Sequence, residues 1–136
     1  MLRTLSCAAL VLLVSACATE PPASDSGHTY LVFAQPPFGR VAMEMQLPTG
    51  FDCQQIRQRT VADLVTNHGM PRARAEALVS CSPTRSGARL QASLVAKRSD
   101  TGALVESRFP SLAACLDMSG EFQQTYAAIV QPCAVR

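Results

Sequence analysis

A repeat of spacing narrows the folds open to this chain more than any other feature. Pro48-Thr49 followed by Cys53 returns 62 residues later as Pro110-Ser111 followed by Cys115. Leu47 and Phe109, and Glu44 and Glu106, fall at the same offset. Further upstream, Leu31-Val32-Phe33-Ala34 lines up without a gap against Ser93-Leu94-Val95-Ala96. Self-similarity at a fixed period reads as one structural unit used twice, and each unit reads as strand, strand, helix, strand.

In the first unit, residues 28–35 are rich in β-formers and Pro36-Pro37-Phe38-Gly39 is a turn. Residues 41–47 alternate Val41, Met43, Met45 and Leu47 against Ala42, Glu44 and Gln46, the period of two of a half-buried strand. Pro48 stops the strand, and Thr49 is placed as a helix N-cap with Asp52 three residues on. The helix carries Cys53, Ile56, Val61, Leu64 and Val65 on one stripe and runs to about Asn67. Asn67-His68-Gly69 has the form of a C-cap with Gly69 left-handed. Residues 71–77 are ambiguous, although Pro71 has the position of a helix opener. They account for the extra ten residues of the first unit, which closes on a strand over 78–82 carrying Cys81.

In the second unit, residues 89–98 form a strand with Leu90, Ala92, Leu94 and Ala96 on one face. Ser99-Asp100-Thr101-Gly102 turns it into a returning strand over 103–109. Pro110-Ser111 repeats the stop and cap, a helix covers about 112–123 with Gly120 as its weak point, and residues 126–131 make the last strand, ended by Pro132-Cys133.

Ahead of both units, residues 1–16 have the layout of an export signal: Arg3, an apolar run over 5–14, then small Ser15 and Ala16. About ten apolar residues are too few for a transmembrane helix, which needs roughly twenty. Val14-Ser15-Ala16-Cys17 resembles the lipobox of bacterial lipoproteins. That resemblance implies cleavage before Cys17, a diacylglycerol on its thiolate and an N-acyl chain such as palmitate. Three chains anchor firmly, each buried methylene being worth about 0.8 kcal/mol. Ala18 in place of an Asp points toward the outer membrane, facing the periplasm. Residues 17–27, the lipidated Cys and a Pro/Ser/Asp-rich run, read as a tether, and residues 28–136 as one small domain holding repeats at about 28–82 and 89–134.

An oxidising compartment makes four remaining cysteines, Cys53, Cys81, Cys115 and Cys133, a two-disulfide set. No close Cys pair or histidine cluster suggests a metal site. Four cysteines allow three pairings; a self-contained unit selects Cys53–Cys81 and Cys115–Cys133, each joining a helix's first turn to the following strand. With 12 Lys+Arg against 10 Asp+Glu the charge is near balance. Arg57, Arg59, Arg72, Arg74, Arg85, Arg89, Lys97 and Arg98 face only Asp63 and Glu76 in their window. They read as a solvated surface, and without interleaved aromatics they do not suggest a nucleic-acid platform.

No catalytic set emerges. His28 ends the tether and His68 sits in a helix cap; no G-x-S-x-G elbow or phosphate loop occurs. Glu44 and Glu106 read as solvated outward positions, and Met43, Met45 and Met70 as core filling, although a methionine cluster can also line an adaptable groove or bind copper. The expectation is an α+β domain of two tandem ββαβ-like repeats forming an antiparallel sheet or barrel-like pair with helices packed on it, one disulfide per repeat. It is expected to be a lipid-anchored envelope lipoprotein without enzymatic activity, cofactor or metal, binding another envelope protein or the peptidoglycan. An inhibitor of lytic enzymes, using a loop over 35–39, or a small periplasmic hydrolase are the alternatives.

Overall fold

The computed structural model describes residues 27–35, 39–125 and 128–136; Cys17 and the lipobox lie outside them. Six strands form one antiparallel sheet: β1 (Thr29–Gln35), β2 (Arg40–Leu47), β3 (Val79–Ser82), β4 (Ala92–Lys97), β5 (Leu104–Phe109) and β6 (Ala128–Val135), in the order β3-β1-β2-β5-β4-β6. The helices are α1 (Cys53–Thr66), α2 (Arg72–Leu78) and α3 (Leu112–Thr125). The sheet is open, with β3 and β6 as its edges. No described helix is long and apolar enough to cross a membrane.

The period-two pattern sets the faces. Leu31, Met43, Met45, Leu47, Ala92, Leu94, Ala96, Val105 and Phe109 turn one way and pack with Val61 of α1, Ala75 of α2 and Phe122 of α3 in one core. The Phe109 and Phe122 rings meet edge to face at 6.3 Å, a favoured aromatic geometry. The disulfides pair as the repeat suggests, Cys53–Cys81 and Cys115–Cys133. Each holds the N-terminal turn of a long helix to an edge strand.

Several boundaries differ from the sequence reading. Thr49 is not the cap of α1: Asp52 is, its carboxylate accepting from the Gln54 and Gln55 amides. Pro48-Thr49-Gly50-Phe51 first makes a turn, with Gly50 at φ +89° and the Phe51 amide on the Pro48 carbonyl, so the helix begins later. Ser111 does cap α3, through the Ala114 amide. Gly69 is left-handed as expected, and residues 72–78 are helical. Pro132 does not end β6, which continues to Val135; an edge strand tolerates a residue that cannot donate.

The ungapped offset also slips. Leu31 faces Met45 and Leu94 faces Ser107, so by pairing Leu31 corresponds to Leu94, not to Ser93. The extra residue is Ala42 of β2, skipped where Phe33 pairs with Met43 and Ala34 with Val41. A bulge absorbs one residue in this way without disturbing the strand beyond it.

The strand order forces the link between β3 and β4 across the sheet. It must pass three strands, four spacings or roughly 19 Å; nine residues reach at most about 30 Å. Residues 83–91 therefore run over the face away from the helices and bury Tyr30, Val32, Glu44 and their own Leu90.

Candidate functional site

A wide hollow lies on the helix side, between α1 and α3. Because both disulfides draw a helix N-terminus toward a sheet edge, the two long helices stand apart over the strands between. The groove encloses 610 Å³, within the ordinary range for a small-molecule site. Phe33, Met43 and Met45 make its floor; Arg59, Thr60, Asp63 and Leu64 of α1, with His68 just beyond, make one wall; Met118, Glu121 and Phe122 of α3 make the other. Met43 and Met45 are nearly buried, whereas Met118 is 36 % exposed.

The polar groups on this rim divide into spent and unspent. Thr60 donates to the Ile56 carbonyl at 2.9 Å. Asp63 accepts from the Asn67 side chain at 2.6 Å and lies 3.6 Å from His68 Nε2. Arg59 and Glu121 have no hydrogen-bond or ion-pair partner among the described residues.

The other face carries the densest charge network. Glu44, 1 % exposed, accepts the Ser86 amide at 2.7 Å and lies 3.6 Å from Arg85 Nη1. Arg85 also donates to Gln46 at 2.8 Å, approaches Glu106 at 4.0 Å and rests over the Tyr30 ring at 5.1 Å. Glu106 is bonded by Arg136, which reaches Ser93 as well. Glu44 is thus not the solvated strand residue its alternation suggests: the link between β3 and β4 covers it. A smaller hollow of 290 Å³ beside this network is lined by His28, Gln46, Thr49, Val95, Leu104 and Glu106. Gln46 and Glu106 are already committed to arginines there, so its polar groups serve one another.

No family model, curated protein or solved structure matches this chain.

The residues singled out in the sequence separate accordingly. Met43 and Met45 reach the groove, while Met70 packs against the core beside it. His68 lines the groove and His28 the opposite hollow, so the structure does not bring the histidines together. Glu44 and Glu106 meet through Arg85. The arginine-rich window disperses: Arg57 donates to the Val79 and Glu76 carbonyls at 2.7 and 3.0 Å, Arg72 pairs with Glu76 and Arg98 with Asp100. Residues 36–38, the centre of the loop considered for inhibition, lie outside the described residues. Among those residues no group of three or more His, Cys, Asp or Glu side chains is placed to hold a metal. Sequence reasoning missed Met118, Glu121 and Phe122, and reads Arg59 only as part of a solvated surface. Their helical spacing put Phe122 and Met118 on the sheet side of α3, but only the second helix's position makes a wall of them.

Proposed function

We propose that this chain is a lipid-anchored envelope lipoprotein whose folded domain is a non-enzymatic binding module, with the groove between α1 and α3 as its ligand site. The groove carries the binding half of this reading: it is concave, mainly apolar and bordered by a few polar groups, two of them unspent, the general form of a small-ligand site. The lipobox-like Val14-Ser15-Ala16-Cys17 supports the anchor, and two disulfides in so small a domain fit an oxidising compartment. The outer membrane, on its periplasmic side, is the location this reading favours.

The two halves are read as tandem ββαβ units, the first enlarged by α2. Pairing at the join supports this. Met45 faces Ser107, Glu44 faces Arg108 and Gln46 faces Glu106, so positions related by the 62-residue offset exchange partners across β2 and β5, as a two-fold relation requires.

Cys17→Ser tests the anchor: incorporation of labelled palmitate and partition into membranes are expected to be lost. A photo-crosslinking residue at Met118 tests the site. In intact cells it is expected to yield a defined adduct that the same residue at Arg74, outside the groove, does not. Palmitate labelling unchanged by Cys17→Ser overturns the anchor, and equal adducts at 118 and 74 overturn the groove.

A further inference from the structure

We propose that the groove binds one single-chain zwitterionic phospholipid, its acyl chain along the apolar floor and its phosphate and ammonium between Arg59 and Glu121. This rests on the reading of the groove as the ligand site and names the ligand class. Six apolar side chains, Phe33, Met43, Met45, Leu64, Met118 and Phe122, line the channel. Half are methionines, whose unbranched, polarizable side chains adapt to a flexible apolar chain better than branched ones do. A slender chain between two helices also buries much apolar surface for little polar desolvation.

The rim selects the head group. Arg59 stands on the α1 wall and Glu121 on the α3 wall, both exposed and both without a partner among the described residues. The other rim carboxylate, Asp63, is taken by Asn67 and His68. One unspent cation and one unspent anion on facing walls complement a head carrying both charges, and guanidinium matches phosphate geometry well. A fatty acid can pair its carboxylate with Arg59 but leaves Glu121 unanswered beside a like charge, and a cationic amphiphile can pair with Glu121 but leaves Arg59 so.

The tether places the groove within reach of such molecules. Gly27 lies ten residues after Cys17, a span of at most roughly 36 Å when extended. A domain held that close to a bilayer meets lysophospholipid at its source.

The test uses the whole polypeptide from position 17 onward, exported behind a non-lipoprotein leader with Cys17→Ser, so that no detergent or anchor competes. Titration with lysophosphatidylethanolamine below its micelle concentration is expected to show one molecule per chain by calorimetry and native mass spectrometry. Arg59→Ala and Glu121→Gln should each weaken binding about tenfold, the scale of one charge-assisted contact. Arg74→Ala should leave it unchanged, and Met118→Trp, which fills the groove from an exposed position, should abolish it. A fatty acid of equal chain length should bind at least tenfold more weakly. Absence of binding, equal affinity for the fatty acid, indifference to Arg59 and Glu121, or binding only to two-chain vesicles would each overturn the proposal. If lysophospholipid fails while crosslinking at position 118 succeeds, the ligand class falls and the groove stands.

Discussion

Removal of the Arg85 side chain is the sharpest test of how the two halves are held together. Glu44 is 1 % exposed and Arg85 33 %, so the pair is buried at one end and wet at the other. Deleting one partner of a fully buried pair costs about 3–5 kcal/mol, because the remaining charge is left in a poor solvent. Exposed pairs are worth about 0–1 kcal/mol. A one-third exposed arginine places Arg85→Ala near 2–3 kcal/mol, including its bond to Gln46 and its contact with Tyr30. Glu44→Gln should cost only about 1 kcal/mol, since Gln still accepts from the Ser86 amide and Arg85 still reaches Glu106. With both changes no buried charge is stranded, so the double variant should lose about 1–2 kcal/mol rather than the sum, a coupling of roughly 2 kcal/mol. The assay is urea unfolding with disulfides intact, reading midpoint shifts at unchanged slope; Arg85→Ala should also lower Tm by about 10 °C. A loss under about 0.5 kcal/mol for Arg85→Ala, or strictly additive costs, would refute burial of Glu44 beneath the link.

Other expectations follow from single features. Cys115→Ser with Cys133→Ser, or Cys53→Ser with Cys81→Ser, should each cost about 3–4 kcal/mol from loops of 18 and 28 residues, seen as a lower urea midpoint. Ser107 is fully buried between Met45 and Leu94, its hydroxyl without a hydrogen-bond partner, so Ser107→Ala should be neutral or stabilising by up to about 1 kcal/mol in the same assay. Arg57→Ala removes two bonds to carbonyls at the end of α2 and should cost about 1–2 kcal/mol, with faster amide exchange confined to α2 and β3. The hydrogen bond from Arg98, aided by its charge, pushes the Asp100 carboxyl down to about 2 from its usual 3.8. Folded Asp100 binds its proton less readily than the unfolded chain does, so its stabilisation is present above about pH 4 and fades as pH falls toward 2. The stability gap between the parent and Asp100→Asn should therefore be measurable at pH 7 and close near pH 2 in thermal unfolding.

Much of this architecture can be read from residue order because its causes are local. Alternation at 41–47, the Ser111 cap, the left-handed Gly69 and the spacing of the four cysteines each act within a few residues or within one unit. One reading that differs has a local cause: Asp52 rather than Thr49 caps α1 because Gly50 lets the chain turn first. The others have distant causes, as the 62-residue register slips at a bulge in β2 that only pairing with β1 reveals. Pro132 reads as a stop because a sequence does not say which strand is an edge.

The groove and the charge network mark the division most clearly. Residue order alone determined the α+β class, the pairing of the four cysteines and the side of each strand that is apolar, since these follow from local periodicity and cysteine spacing. It could not determine which polar strand positions meet water. Glu44 and Glu106 are equivalent by sequence, yet Glu44 is sealed beneath residues 83–91 while Glu106 stays partly open. That difference arises from the order β3-β1-β2-β5-β4-β6, which forces the link across one face of the sheet. The same order puts a disulfide-held helix toward each edge, and the space between those helices belongs to no segment of the chain by itself.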